Sequence, residues 1–218
     1  MLTDIKIEQI NTNTGRFYLT PNGDRYPSIT TVLGKIPNDG IKKWRENIGE
    51  EKANKIMLES STVGTIYHEL CENYLLKADK NKIDVTDYNL SNIAHRLYDN
   101  VKSVLDQFTK IYGTELSMYS DSLKLAGTAD CIAEYKGKTY IVDFKNSRKE
   151  KRKDWIKNYF MQGAAYSNML YERYDILAKD MLILVATWDN KIQLFEEKVL
   201  DHYNDLIDIN KKYNQLWN

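Results

Sequence analysis

Residues 127–145 have the sequence GTADCIAEYKGKTYIVDFK, and this stretch decides the fold of the chain. Apolar residues on both sides of Lys136 and Gly137 indicate two strands, and this pair of residues is typical of a two-residue hairpin turn. Counting back from such a turn places Asp130 opposite Asp143 at the open end of the hairpin, with their β-carbons about 5 Å apart. The same register predicts three further pairs: Tyr135 with Lys138, Ala133 with Tyr140, and Cys131 with Val142.

Two carboxylates and one ammonium group converge at this open end. Asp143 and Lys145 share one face of their strand because strand side chains alternate, and Phe144 points to the other face. Opposed like charges destabilise a strand pair, so a divalent cation held by the carboxylates is the natural compensation. Apolar residues occupy both faces of this strand, which predicts a central strand that ends at a cleft; they are Tyr140, Ile141, Val142 and Phe144. The alternative is an exposed hairpin with ordinary surface charges, since Asp-x-Lys alone is common.

The composition predicts one soluble domain. The chain has 218 residues, of which 42% are hydrophobic, and this is enough for one sizeable core. We predict a single domain over residues 1–218, with an N-terminal hairpin and helical part at 1–111 and a catalytic sheet with flanking helices at 112–218. Lys and Arg together number 31, as do Asp and Glu, so the net charge is zero. Only local basic patches can therefore indicate nucleic-acid binding.

Cysteine content and hydropathy narrow the class of protein. Cys71 and Cys131 lie among apolar neighbours and are predicted to be buried thiols rather than a disulfide. Two cysteines cannot supply the four ligands of an iron–sulfur cluster. The longest apolar run, residues 181–186, is too short to cross a membrane, and the N-terminal residues lack the Arg-rich pattern of a transit peptide. We expect a cytoplasmic protein, bacterial or phage-encoded and monomeric by default, with no membrane partner.

Periodicity and turn residues predict an order of elements typical of a mixed sheet covered by helices. A turn at residues 21–24 separates two short strands, and residues 26–28 lead into a helix. Further helices are predicted at 41–59, 63–75, 86–111, 154–173 and 199–216, with a break at 60–62 and a charged connection at 77–84. Strands outside the hairpin are predicted at 114–119, 123–126, 181–188 and 192–197.

The segment that follows the hairpin, residues 145–157, is strongly basic. Such a run is usually a solvated face, but its position directly after the candidate metal site favours contact with a polyanion. Trp155 and Tyr159 offer surfaces on which unpaired bases can stack, although both fit core positions equally well. The basic residues are Arg148, Lys149, Lys151, Arg152, Lys153 and Lys157.

Several other candidate residues are weak when each is taken alone. His68 lies in a predicted helix, and a surface pair with Glu72 four residues later explains it simply. Gln162 and Tyr166 lie one helical turn apart, either as ordinary helix residues or as flanks of the site. Glu115 begins a strand before the hairpin and offers one more carboxylate.

The order of these motifs along the chain carries more information than any one of them. They are GTxxH ending at His68, then Glu115, GTAD ending at Asp130, DFK ending at Lys145, and QxxxY ending at Tyr166. This ordered set resembles the RecB-like branch of the PD-(D/E)xK nuclease superfamily. The flanking sequences YPSITTVL at 26–33 and DFKNSRK at 143–149 are similar to the mitochondrial genome maintenance exonucleases and their small phage and bacterial relatives. The likeness covers residues 26–188.

The resemblance implies a restriction-endonuclease-like core of the α/β class, in which a central mixed β-sheet is flanked by helices. It also implies a Mg²⁺ or Mn²⁺ site, and an arch for a DNA end formed by helices within residues 41–111. Ala129 stands where the family signature has Pro, a usual variation in this branch. The implied catalytic residues are Asp130, Asp143 and Lys145. The implied metal ligands are His68, Asp130, Asp143 and the backbone carbonyl of Phe144, with Glu115 as a further one. The DNA contacts expected are Gln162, Tyr166, Arg148, Lys149, Lys151, Arg152, Lys153 and Trp155.

The expected function is therefore a Mg²⁺- or Mn²⁺-dependent deoxyribonuclease. We expect an exonuclease that acts on single-stranded DNA ends in replication, repair or recombination. One alternative is a structure-specific endonuclease of the same superfamily, which would cut a closed circular strand. Another is a DNA-binding module that keeps the fold without cleaving, and a third is an interaction domain that has no role with nucleic acids.

Overall fold

The hairpin at Lys136 and Gly137 forms as predicted in the computed structural model of the chain. The two turn residues have φ values of 50° and 73°. Two consecutive residues with positive φ are the mark of a type I′ turn, whose twist matches that of the strands it joins. Asp130 and Asp143 come next in the predicted register, at the point where the pairing of the two strands ends. The pairs formed include Tyr135 with Lys138, Ala133 with Tyr140, and Cys131 with Val142.

The structure describes residues 1–37, 39–78 and 87–217, without the side chains of residues 39 and 217. In these ranges the strands are β1 (Glu8–Thr12), β2 (Gly15–Leu19), β3 (Arg25–Pro27), β4 (Phe108–Ser120), β5 (Leu125–Tyr135), β6 (Lys138–Ser147), β7 (Asp180–Thr187) and β8 (Ile192–Lys198). The helices are α1 (Ile29–Gly34), α2 (Asp39–Ile48), α3 (Glu50–Leu75), α4 (Tyr88–Leu105), α5 (Lys157–Tyr174) and α6 (Val199–Trp217).

The main sheet has five strands in the order β4-β5-β6-β7-β8. Strands β6 and β7 are parallel and are connected through α5, whereas the other neighbours are antiparallel. A parallel pair needs a long crossover connection, and the helical segment between residues 147 and 180 provides it. The predicted mixed sheet is therefore confirmed, with β6 at its centre.

Helices cover both faces of this sheet. Ile141, Ile183 and Val185 point to a core formed with α1, α5 and α6. Val142 and Phe144 point to a second core formed with α3 and α4. Because the central strands are buried on both faces, their apolar runs are nearly continuous. The predicted α/β class with flanking helices is confirmed.

The predicted helix break at residues 60–62 is wrong. Helix α3 continues through these residues, and the chain breaks instead at Gly49, whose φ is 87°. The predicted helix at 41–59 is thus divided between α2 and α3. Hydroxyl side chains can remain in a helix by bonding the carbonyl four residues earlier, as Thr62 Oγ1 does to the carbonyl of Leu58 at 3.1 Å. Glycine adopts positive φ without a steric penalty, so it ends a helix more effectively than three hydroxyl residues.

The predicted helix at 86–111 is too long at its C-terminal end. Helix α4 ends at Leu105, and residues 108–111 begin β4. Phe108 continues the apolar spacing of the helix, but it pairs with Tyr135 across the sheet, with ring centroids 5.7 Å apart. Strand β5 is also longer than expected, since it joins the predicted strand at 123–126 to the hairpin. Residue 86 and most of the charged connection at 77–84 lie outside the described residues.

Burial decides the prediction for the two cysteines. Cys71 and Cys131 are buried free thiols, as predicted. Among the described residues, no helix has both the length and the apolar character that a membrane span requires. The turn at residues 21–24 separates β2 from β3, and these strands with β1 form a small antiparallel sheet.

Candidate active site

The position of Asp130 is set by an irregularity in the β4–β5 pair. Glu115, which lies opposite Asp130, has a φ of 45°, in the left-handed region that non-glycine residues rarely adopt. Ala129 packs in the core beneath α5, whereas Cys131 packs in the core beneath α3 and α4. Strict alternation would put both on the same face, so the chain rotates at Asp130. Backbone strain of this kind concentrates at functional sites.

Helix α3 approaches β6 closely at Gly64. A β-carbon on this residue would lie only 2.8 Å from Nδ2 of Asn146. Asn146 fastens the two elements together, because its Nδ2 donates to the carbonyl of Ser60 at 3.1 Å and its Oδ1 accepts from Nε1 of Trp188 at 3.1 Å. The glycine of the GTxxH motif therefore permits the contact that brings the next turn of α3 over the sheet.

That next turn carries His68 to the carboxylate of Asp130. Nδ1 of His68 lies 3.6 Å from Oδ2 of Asp130, and the same oxygen accepts the backbone N–H of Phe144 at 2.8 Å. The imidazole also contacts the rings of Tyr67 and Phe144 edge-on, with centroids 5.8 and 6.0 Å away. Packing thus fixes the orientation of His68, and the hydrogen bond from β6 fixes that of Asp130.

Asp143 and Lys145 form a buried ion pair beside this group. Nζ of Lys145 lies 2.5 Å from Oδ2 of Asp143 and 5.2 Å from the centroid of the Tyr159 ring. Asp143 has no exposed surface, and among the described residues neither of its oxygens accepts a well-aligned hydrogen bond. Burial outweighs the attraction of Lys145 and raises the pKa of Asp143, with Asp130 adding to the rise. Burial opposes the charge on Lys145, but Asp143 and Asp130 together outweigh it and raise the pKa of this lysine.

Glu115 lies in the same acidic surroundings although its side chain still reaches solvent. The pKa of Glu115 is raised to about 7. The largest cause is loss of solvation by the surrounding protein atoms, and the negative charges of Asp130 and Glu72 add to it. The cations Lys145 and Arg16 act in the opposite direction. A carboxylic acid with such a pKa gives up its proton readily when a cation arrives.

The described residues can hold a metal at one three-residue group. Ligand atoms of His68, Glu115 and Asp130 all lie within 4.8 Å of one another. Asp143 lies outside this group because its carboxylate turns to Lys145. Two carboxylates and an imidazole, next to a buried carboxylate whose oxygens lack hydrogen bonds, suit a hard divalent cation such as Mg²⁺ or Mn²⁺. Of the residues predicted as ligands, the structure therefore groups His68, Glu115 and Asp130, and Asp143 does not belong to this group.

The QxxxY motif is buried behind the acidic residues. Nε2 of Gln162 donates to the hydroxyl of Tyr166 at 3.0 Å, and the two side chains are 7% and 2% exposed. Burial raises the pKa of Tyr166, and the charges of Asp130 and Asp143 add to this rise. The predicted contact of these two residues with DNA stays a prediction, and in this conformation they form the wall behind the site.

Three of the six basic residues after β6 are paired with acids among the described residues. Arg148 pairs with Glu59 of α3 and lies over the ring of Trp188, and the backbone of Lys151 bonds Gln193 of β8. These contacts fasten the loop to its neighbours. Of the other predicted DNA contacts, Arg152 pairs with Asp154 and Lys153 pairs with Glu197. The side chain of Lys149 forms no ion pair within the described residues. Trp155 is 61% exposed.

Comparison with known proteins supports a nuclease relationship. The chain is distantly similar to mitochondrial genome maintenance exonuclease 1. Identity is 26% to the human protein and 26% to that of Xenopus tropicalis, each over 176 residues that make up 75% of this chain and 49% of the relative. The chain spans about half the length of the curated relatives it matches. No protein-family model matches the sequence.

A solved structure resembles the fold. It is a protein of Eubacterium rectale that is provisionally assigned as an exonuclease, with a TM-score of 0.50 at 12% identity, covering 70% of this chain and 65% of that one. At this level of identity the likeness concerns the fold alone. It supports the mixed sheet flanked by helices and carries no conclusion about activity.

Two residues near the site were not among the predicted site residues. Arg16 lies far from the motifs along the chain, and only the docking of the small sheet brings it near Glu115. Glu72 was interpreted as part of a solvated face, but its Oε1 accepts from Thr114 at 3.4 Å and its charge acts on Glu115. The spacing of Glu72 from His68 on α3 was the one signal that could have placed it at the site.

Replacing Gly127 with alanine is expected to destabilise the fold by about 1–3 kcal/mol and to reduce activity, because the added methyl group overpacks the site. A β-carbon at position 127 would lie 2.8 Å from Cε1 of Tyr166, whose side chain is buried and cannot move away. Gly34→Ala is the matched control, because no atom lies within 4 Å of a β-carbon there. Chemical denaturation measures both variants. Equal stability of the two would contradict the proposed contact with Tyr166.

Proposed function

We propose that the chain is a metal-dependent deoxyribonuclease of the RecB-like PD-(D/E)xK type. The observation that carries this proposal is the ion pair of Asp143 and Lys145 on the central strand, directly beside the group formed by His68, Glu115 and Asp130. A buried acid and lysine next to clustered carboxylates have no evident structural purpose, because apolar residues would stabilise the sheet at lower cost. The names of the relatives, which are exonucleases, support the same function.

The proposed roles follow from the positions of the side chains. His68, Glu115 and Asp130 would hold Mg²⁺ or Mn²⁺, and Asp143 would complete the site from the adjacent strand. A divalent cation bound there would polarise the phosphate and lower the pKa of the attacking water. Asp130 keeps its orientation through the backbone N–H of Phe144, and the carbonyl of that residue faces the ammonium of Lys145 at 3.5 Å.

Lys145 supplies the positive charge that the reaction needs beyond the metal. Its ammonium remains protonated because Asp143 and Asp130 raise its pKa. It donates hydrogen bonds to the attacking water or to a phosphate oxygen, and so offsets the negative charge that develops on the phosphate as the bond to the leaving oxygen breaks. Asp143 holds the lysine in position for this, and Tyr159 limits its movement from the other side.

The substrate we propose is the end of a single strand of DNA. Lys149 and the exposed ring of Trp155 offer charge and a stacking surface next to β6. Helix α3 carries His68 to the site, and the helices within residues 41–111 are the proposed arch through which an end would pass. A role in replication, repair or recombination is part of this proposal.

Digestion of labelled single strands tests the proposal. In Mg²⁺ or Mn²⁺ the protein is expected to shorten linear strands progressively, to leave a closed circular strand intact, and to lose all activity in EDTA. Cutting of the circle would instead identify an endonuclease. Binding without cleavage in any divalent metal would identify a DNA-binding module, and cleavage in EDTA would contradict the metal site.

A further inference from the structure

The small N-terminal sheet is docked against the main sheet next to the candidate site. Ser28 forms a parallel bridge with Ala126 of β5, and its N–H donates to the carbonyl of Arg16 at 2.8 Å. The N–H of Arg16 donates to Oγ1 of Thr31 at 2.8 Å. Gly15 has a φ of 142°, and a β-carbon there would lie 2.3 Å from the Thr31 side chain. The backbone of Arg16 is therefore fixed on both sides, independently of its guanidinium group.

The direction of β2 places the Arg16 side chain toward the acids. Strand β3 leads into the parallel bridge with β5, and β2 is antiparallel to β3, so β2 runs antiparallel to β5. Tyr18 lies on the face of β2 that meets the main sheet, and its hydroxyl contacts Oγ1 of Thr128 at 3.0 Å. Arg16 is two residues away on the same face, in the direction that leads along β5 toward Asp130.

Arg16 is an exposed cation in surroundings rich in acids. It forms no ion pair with any described residue, although the group of Glu115 and Asp130 lies further along β5 from the contact between Tyr18 and Thr128. Clustered carboxylates repel a DNA strand, so a strand that reaches the site needs cations beside the metal ligands. Guanidinium groups bind phosphate through two parallel hydrogen bonds, which an ammonium group cannot match.

We propose that Arg16 binds a backbone phosphate of the DNA strand next to the group of His68, Glu115 and Asp130. This inference rests on the proposed nuclease function and deepens it by assigning a substrate contact to the N-terminal sheet. The small sheet then acts as one wall of the substrate channel, opposite α3.

The test measures the salt dependence of single-strand binding in an Asp143→Asn background, which prevents cleavage. Losing one phosphate contact reduces the slope of log K against log salt by about 0.7 for a single strand. We expect Arg16→Ala to show this smaller slope and to bind about tenfold more weakly at low salt. Arg16→Lys is expected to keep the slope, because it keeps the charge, while losing part of the affinity.

Arg25→Ala is the matched control. Arg25 belongs to the same small sheet, but its guanidinium group lies 4.0 Å above the ring of Phe17, which points to the opposite face. If Arg16→Ala and Arg25→Ala bind DNA with the same affinity and the same salt slope, the inference is overturned, even if the wild-type protein cleaves DNA. Failure of the wild-type protein to cleave any DNA would instead refute the proposed function. Thermal unfolding of each variant establishes that the fold is intact.

Discussion

Replacing Asp143 with Asn is expected to reduce DNA cleavage by at least about 10³-fold while most of the DNA affinity remains. The substitution removes the charge that holds Lys145 and the negative charge that Asp143 would offer to a bound metal, so several kcal/mol of transition-state stabilisation are lost. Single-turnover cleavage of a labelled strand in Mn²⁺ measures the loss. Lys145→Met is expected to have an effect of similar size, since each residue requires the other.

The same sheet offers a matched control pair. Asp180 of β7 is also a buried carboxylate and pairs with Lys198, but it lies near the end of β7 that is remote from the site. Asp180→Asn is expected to leave the cleavage rate unchanged. The double variant of Asp143 and Lys145 should lose little more than either single variant, because residues that act as a unit are not additive. Retained cleavage in Asp143→Asn would exclude the proposed mechanism.

The sequence predicted the central part of the fold because its information is local. Lys136 and Gly137 determine the turn, and the register of the hairpin follows from the turn by counting. The apolar strands on either side admit only a sheet that is covered on both faces. Asp130 and Asp143 could therefore be placed at the open end of the hairpin without any knowledge of the rest of the chain.

The details of the site depend on contacts that local sequence does not contain. No residue type signals the positive φ of Glu115 or the rotation of the chain at Asp130. In the folded chain Glu115 and Asp130 lie with His68, and Asp143 pairs with Lys145. A motif predicts which residues gather at a site, but packing decides which of them face each other.

Burial was also underestimated for the QxxxY motif. Gln162 and Tyr166 were interpreted either as ordinary helix residues, with Tyr166 half buried, or as flanks of the site. They satisfy their polar groups with each other, and Gly127 leaves the space that the Tyr166 ring fills. Such a pair can be buried at little cost, since a hydrogen-bonded polar group avoids the penalty of an unsatisfied one.

Divalent metal is expected to raise the melting temperature by about 5–10 °C at neutral pH when it is present at about 100 times its Kd. The metal-free protein holds Glu115 and Asp143 near other acids, and binding of a cation relieves that repulsion. Thermal unfolding with and without Mn²⁺ measures the shift. Glu115→Gln is expected to show a much smaller shift, whereas Glu134→Gln, on the same pair of strands near the hairpin turn, should behave as the wild type.

The same measurement has a defined dependence on pH. Glu115 has a pKa of about 7 in the folded protein, above its value of about 4.3 in an unfolded chain. The folded state therefore keeps a proton that the unfolded state has lost, and the stability that this proton confers decreases as pH rises from about 4 to about 7. Without metal, the stability of Glu115→Gln relative to the wild type should increase as pH rises from about 4 to about 7, and should then stay constant at higher pH. Because protons compete with the cation, the shift with Mn²⁺ should be smaller at pH 5.5 than at pH 7.5. A stability difference between the two proteins that does not change with pH would contradict the raised pKa of Glu115.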